Sequence, residues 1–201
     1  MSTIAETPQR VTASDRDCYP TYRMSIEQYE QLVGSGVFTK RDKLQLINGR
    51  LVAKVTKNPP HAVANDRCRN ALSLSLPTGW SIRTENPVRL PPGSEPEPDQ
   101  CVVRGELTDY LKQHPSAGDV GLLVEIADAS LGDDRKMALT YSASEIPVYW
   151  IVNLIERQIE VFTSPTPGGY DIKRNYKADE KVPIVLDGSV VGYVAVSDIL
   201  P

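Results

Sequence analysis

Gly121-Leu122-Leu123-Val124-Glu125-Ile126-Ala127-Asp128-Ala129-Ser130, followed by Leu131-Gly132-Asp133-Asp134-Arg135-Lys136, is the stretch whose reading decides the fold. The run Leu122 to Ala127 is apolar except at Glu125, the pattern of a strand buried on both faces. An unpaired carboxylate there costs several kcal/mol or shifts its pKa upward, so Glu125 calls for a cation, a donor or a metal. Its plainest partner is an arginine at the strand end. The charged segment that follows predicts a helix from about Leu131 to Glu145. Val148-Tyr149-Trp150-Ile151-Val152-Asn153 then predicts a second buried strand.

Upstream, residues 1–22 are polar and aperiodic and predict an extended arm. Ser25-Ile26-Glu27-Gln28 has capping-box spacing and opens a helix to about Val33. Residues 44–55 predict a β-hairpin turning at Asn48-Gly49, since that dipeptide suits the type I′ turn. Asn58-Pro59-Pro60-His61 starts a helix that Pro77-Thr78-Gly79 ends, because prolines fit the first turn, where N–H groups lack partners anyway. A strand is predicted over 80–90, a stiff proline loop over 91–98 and a short strand over 99–103. Downstream, 158–162 alternates into a strand, and two more short strands follow around Gly168-Gly169 and Asp187-Gly188. The pattern is α+β: a mixed sheet with helices around it and a β-rich C-terminal part, in one domain over 23–201.

Composition narrows the classes. Hydrophobic residues make up 40% and charged residues 24%, ordinary for a globular chain of 201 residues. Cys18, Cys68 and Cys101 are scattered and odd in number, which argues for reduced thiols and against a zinc site. No signal-like apolar segment opens the chain, and the run Ile146 to Ile155 is too short to span a bilayer. The expectation is a cytoplasmic protein with no membrane contact. Residues 1–90 carry 13 Lys and Arg against 8 Asp and Glu, and residues 91–201 carry 9 against 18. The acidic balance makes the whole surface a poor match to a phosphate backbone. Gly-x-Ser-x-Gly, P-loop, Gly-x-Gly-x-x-Gly and His-Glu-x-x-His motifs are all missing, which removes the chemistries they carry.

Two carboxylates stand at strand mouths, Asp99 behind Glu95-Pro96-Glu97-Pro98, and Glu125. Phosphodiester hydrolysis at neutral pH needs an activated water and charge neutralisation, and Mg²⁺ takes oxygen ligands, usually one or two carboxylates with retained waters. A lysine can orient the water or stabilise developing charge. Asp99, Glu125 and Lys136 supply that inventory. His61, at a helix N-terminus, is a candidate to touch phosphate or to pack against the sheet. Arg135 is a candidate phosphate ligand, or a partner for Asp133 or Glu125. Tyr149 and Trp150 alternate across a buried strand and read as core.

The chain resembles the Uma2 family of endonucleases, within the PD-(D/E)xK superfamily of restriction-endonuclease-like folds. The matching elements are Leu46-Ile47-Asn48-Gly49-Arg50-Leu51-Val52, Pro59-Pro60-His61, Glu97-Pro98-Asp99, Val124-Glu125-Ile126, Asp134-Arg135-Lys136 and Ile146-Pro147-Val148-Tyr149-Trp150-Ile151-Val152. The resemblance implies Asp99 and Glu125 as ligands of Mg²⁺ or Mn²⁺, and Lys136 as the lysine that has moved into the following helix, since Ala127 stands where it is usual. It implies DNA as substrate, RNA not being excluded, and a homodimer able to cut both strands. Gln45 replaces a frequent glutamate, Gln100 follows Asp99 where an apolar residue is usual, and Met137 holds the commoner lysine position. Together with the pI of about 5.3, these departures keep a catalytically inactive binding or assembly module as the alternative.

Overall fold

The computed structural model describes residues 21–38, 42–54 and 56–201. The arm predicted over 1–22 falls outside them except for Thr21 and Tyr22, as does Cys18. Helix α1 (Ile26–Gly34) begins with the predicted capping box: Ser25 Oγ accepts from Gln28 N, and the Gln28 side chain accepts from Ser25 N. Strands β1 (Leu44–Ile47) and β2 (Arg50–Ala53) form the hairpin, with φ of 49° at Asn48 and 74° at Gly49. A Cβ on Gly49 would lie 2.8 Å from Arg23 Cβ, so conformation and space both demand glycine.

The core is a six-stranded sheet in the order β3-β4-β5-β6-β7-β8. It comprises β3 (Trp80–Thr84), β4 (Gln100–Arg104), β5 (Val120–Ala127), β6 (Val148–Asn153), β7 (Gln158–Thr166) and β8 (Gly169–Lys177). Only β5 and β6 run parallel, and the helix predicted between them, α3 (Leu131–Ala143), makes the crossover that parallel pairing requires. One face packs on α2 (Pro59–Ser73), on the hairpin of β9 (Lys181–Leu186) and β10 (Ser189–Ala195), and on the short α4 (Val196–Ile199). The other face packs on α3. Strand alternation sorts the side chains. Leu122, Val124, Ile126 and Trp150 join the first cluster, and Leu123, Ala127 and Tyr149 the second, where Tyr141 of α3 packs with them. Tyr149 and Trp150 are both fully buried core, as their alternation predicts.

Two strand predictions needed revision. β3 stops at Thr84 because Glu85 takes a positive φ of 53° and Pro87 follows, and 85–98 runs as loop. Three strands rather than two follow β7. Pro183 masks β9 in the sequence, yet β9 pairs only with β10, where a proline is tolerated on the free side. Gly121 on β5 is held by packing. A Cβ there would meet Leu186 Cδ2 and Trp80 Cζ3, each at 2.6 Å. Gly121→Ala is therefore expected to cost about 1–3 kcal/mol, read as a lower denaturation midpoint.

Candidate active site

A cleft of about 380 Å³ opens where the end of β5 meets the first turns of α2 and α3, beneath the β1–β2 hairpin. Antiparallel register sets its floor. Gln100 pairs with Val124, so Asp99 stands one step beyond, opposite Glu125. The two interlock: Asp99 N donates to Glu125 Oε2 at 3.2 Å, and Ile126 N donates to Asp99 Oδ2 at 2.8 Å. Asp99 is only 5% exposed.

Helix α2 delivers a second contact. Asn58 caps it by accepting from His61 N at 3.0 Å, and His61 Nε2 then lies 3.1 Å from Asp99 Oδ2. The Asn58 amide donates in turn to Asp128. Lys57, one residue before the cap, places Nζ 2.6 Å from Asp99 Oδ1 and 2.6 Å from Glu85 Oε1. From α3, Tyr141 donates its hydroxyl to Glu125 Oε1 at 2.8 Å.

These neighbours divide the carboxyl groups. Burial pushes Asp99 up, but the His61 hydrogen bond and the Lys57 ammonium hold it below the ordinary aspartate range. Among the described residues Glu125 has no such cation. Burial first, then the charges of Asp99 and Asp134, drive it well above the usual glutamate value despite the Tyr141 hydrogen bond. Burial also carries Asp134 up to about 6, against the hydrogen bond from Ser130 Oγ at 2.6 Å. For Lys57, burial disfavours the ammonium, and Asp99 and Glu85 more than offset it. Tyr141→Phe removes the only side-chain donor to Glu125 among the described residues. It is expected to weaken divalent-metal binding about 10–100-fold, measured by calorimetry.

The structure thus brings Asp99, Glu125 and His61 together. Lys136 stands on the cleft wall but points outward, 78% exposed, with Nζ 2.7 Å from Asp133 Oδ1. Arg135 does not line the cleft. It forks onto Glu160 and reaches Glu156, pairing with neither Asp133 nor Glu125. Neighbouring helical residues diverge by about 100°, so the two cations of α3 leave in different directions. Gln45 lines the cleft and accepts from Glu97 N at 3.2 Å. Gln100 lies on the opposite face, donating to Asn65 Oδ1 and accepting from Thr84 Oγ1, so its polar side chain is satisfied under α2.

Lys57, Tyr141 and Glu85 escaped the sequence reading, which quoted Asp134 only as part of the Asp134-Arg135-Lys136 element and gave it no role in the site. The available signals were a cation just before a helix cap and a phenol on a helix face that packs against Glu125. Among the described residues no group of three His, Cys, Asp or Glu side chains is arranged to hold an ion unaided. The donor set nevertheless fits Mg²⁺, which completes two carboxylates with waters and substrate oxygens. Glu125, facing Asp99 and Asp134 without a cation of its own, is the group whose repulsion such an ion would relieve.

Comparison with known proteins agrees with this architecture. A crystal structure of a "putative nuclease belonging to DUF820" from Anabaena variabilis ATCC 29413 superposes with a TM-score of 0.66. The match covers 88% of this chain and 97% of that one at 13% identity, a likeness of fold. No curated protein matches the chain. The Uma2 family model, described as "Putative restriction endonuclease", matches residues 26–189. With the β1–β2 hairpin, the Asp99–Glu125 pair and the β5–α3–β6 unit all inside that span, the chain belongs to the Uma2 family.

Proposed function

We propose that the protein is a metal-dependent endonuclease that hydrolyses DNA phosphodiester bonds. The observation that carries this reading is the interlocked Asp99–Glu125 pair at the floor of an open cleft, with Lys57 and His61 on Asp99 and, among the described residues, no cation on Glu125. Asp99 and Glu125 would hold Mg²⁺ or Mn²⁺. The ion, when bound, supplies an activated water and neutralises charge at the phosphate.

The chain's own residues do the rest. His61 and the Ile126 amide pin Asp99 Oδ2, and Tyr141 pins Glu125 Oε1, so the carboxylates keep one orientation before substrate arrives. Lys136, at the mouth, is placed to meet a phosphate arriving from solvent rather than a group between Asp99 and Glu125. Arg135 is committed to Glu160 and serves the scaffold. A homodimer would set two such sites against the two strands of a duplex. The free Cys68 and Cys101, buried in the clusters on opposite faces of the sheet, suit a reducing cytoplasm. Among the described residues no helix is long and apolar enough to cross a membrane.

The test is calorimetric titration with Mg²⁺ and Mn²⁺, together with cleavage of supercoiled DNA and of RNA. It compares the wild type with Asp99→Ala/Glu125→Ala. Binding and DNA cleavage in the wild type, both lost in the variant, are expected. A wild type that neither binds metal in the presence of DNA nor cuts any substrate ends this reading and favours a binding or assembly module.

A further inference from the structure

We propose that the ammonium of this centre is Lys57, from the loop entering α2, and not Lys136. The assignment rests on the nuclease reading above and settles one role within it. Among the described residues three lysines line the cleft: Lys54, Lys57 and Lys136. Lys54 is taken by Glu97, with Nζ 2.6 Å from Oε2. Lys136 is held by Asp133, itself 76% exposed, in a surface pair that contributes little. Of the three, Lys57 alone touches one of the two carboxylates.

The packing explains why the lysine arrives from this side. A lysine two residues after Glu125 would occupy position 127, on the same face of β5. Ala127 is fully buried there, in the cluster that contains Ala138, Tyr141 and Tyr149. A lysine stem at that position would have to displace α3. The loop before α2 meets Asp99 from the other side, where Lys57 is 28% exposed and needs no such space.

The geometry also suits the task. An ammonium has three donors. Two are spent on Asp99 Oδ1 and Glu85 Oε1, and Glu85 is steadied by Asn65 Nδ2 at 3.1 Å. The third remains for a water or phosphate oxygen in the cleft. Lys57 thereby offers a fixed donor beside Asp99. Lys136, at the mouth, contributes to substrate capture.

The experiment compares Lys57→Met, Lys57→Arg and Lys136→Met in the full chain, reading DNA cleavage with Mn²⁺, thermal melting and calorimetric Mn²⁺ binding. Lys57→Met is expected to lower kcat by about 100-fold or more, with metal binding retained and melting lowered by only a few degrees, Lys57→Arg to recover part of it, and Lys136→Met to change mainly KM. A second measurement serves if Lys57→Met does not fold. In wild-type protein carrying ¹³C-labelled lysine, Mg²⁺ should shift the Lys57 resonance, identified from Lys57→Arg, and leave that of Lys136 in place. Wild-type kcat in Lys57→Met with loss in Lys136→Met, or a Mg²⁺ response at Lys136 alone, overturns the assignment and leaves the nuclease intact. A wild type that binds neither ion, and cuts nothing, overturns the nuclease reading and the assignment with it.

Discussion

Asp99→Asn is expected to lower metal-dependent cleavage by about three orders of magnitude and to destabilise the fold, whereas Glu125→Gln lowers cleavage as far and leaves the fold equally or more stable. The two changes are chemically alike, each removing one negative charge from the floor of the cleft. Their surroundings give them opposite signs. Asp99 accepts from Lys57, His61 and the Ile126 amide. Without its charge Lys57 keeps only Glu85, and the cost is about 1–3 kcal/mol, below that of a fully buried pair because Lys57 is partly solvated. Glu125 faces Asp99 and Asp134 and, among the described residues, has no cation to lose. A glutamine there accepts from the Asp99 amide through its single oxygen and donates through Nε2 to the Tyr141 hydroxyl, which turns from donor to acceptor, while the repulsion is gone. Denaturant titrations of both variants without metal, beside cleavage assays, make the comparison. Equal destabilisation of the two would contradict the charge division drawn here.

Glu160→Gln should cost about 1–3 kcal/mol at neutral pH, and most of that cost should be gone in acid. Glu160 on β7 has no exposed side-chain surface, yet Arg135, Lys173 and Asn153 all donate to it. Burial alone would raise its pKa, but these hydrogen bonds bring it down to about 2 from 4.5. A depressed carboxylate contributes stability that is fully present above its unfolded value. The contribution fades as pH falls from about 4.5 and is lost once the folded group protonates near 2. Arg135 and Lys173 remain 40% and 39% exposed, which places the magnitude toward the lower end. Unfolding free energies of wild type and Glu160→Gln at pH 7 and near pH 2.5 test it. A gap that persists unchanged in acid would assign the effect to packing rather than charge.

The carboxylate pair was legible because each member interrupts a local pattern. Glu125 breaks an apolar run, and Asp99 closes a proline-stiffened approach to a strand. The helix starts at Ser25 and Asn58 and the turn at Asn48-Gly49 were equally plain, since caps and type I′ turns depend on a few adjacent side chains. Gln100 looked like a defect beside the site and proved to belong to the other face, where Asn65 and Thr84 satisfy it. Lys57 was invisible for a different reason. It lies in a short loop without periodicity, and its partners Glu85 and Asp99 are 28 and 42 residues away in the chain.

By itself, then, the sequence determined the α+β class, the β5–α3–β6 unit, the two carboxylates and the family resemblance. Each rests on local patterns of residue order within one supersecondary unit, the resemblance on several such patterns in sequence. Tertiary structure alone decided which cation serves which anion. Arg135 and Lys136 are neighbours in the chain, yet one turns to Glu160 and the other to solvent. Lys57 reaches Asp99 because antiparallel pairing of β4 with β5 and the docking of α2 bring distant segments to one point. Coulombic partners are chosen by distances in space, and the chain carries no local mark of them.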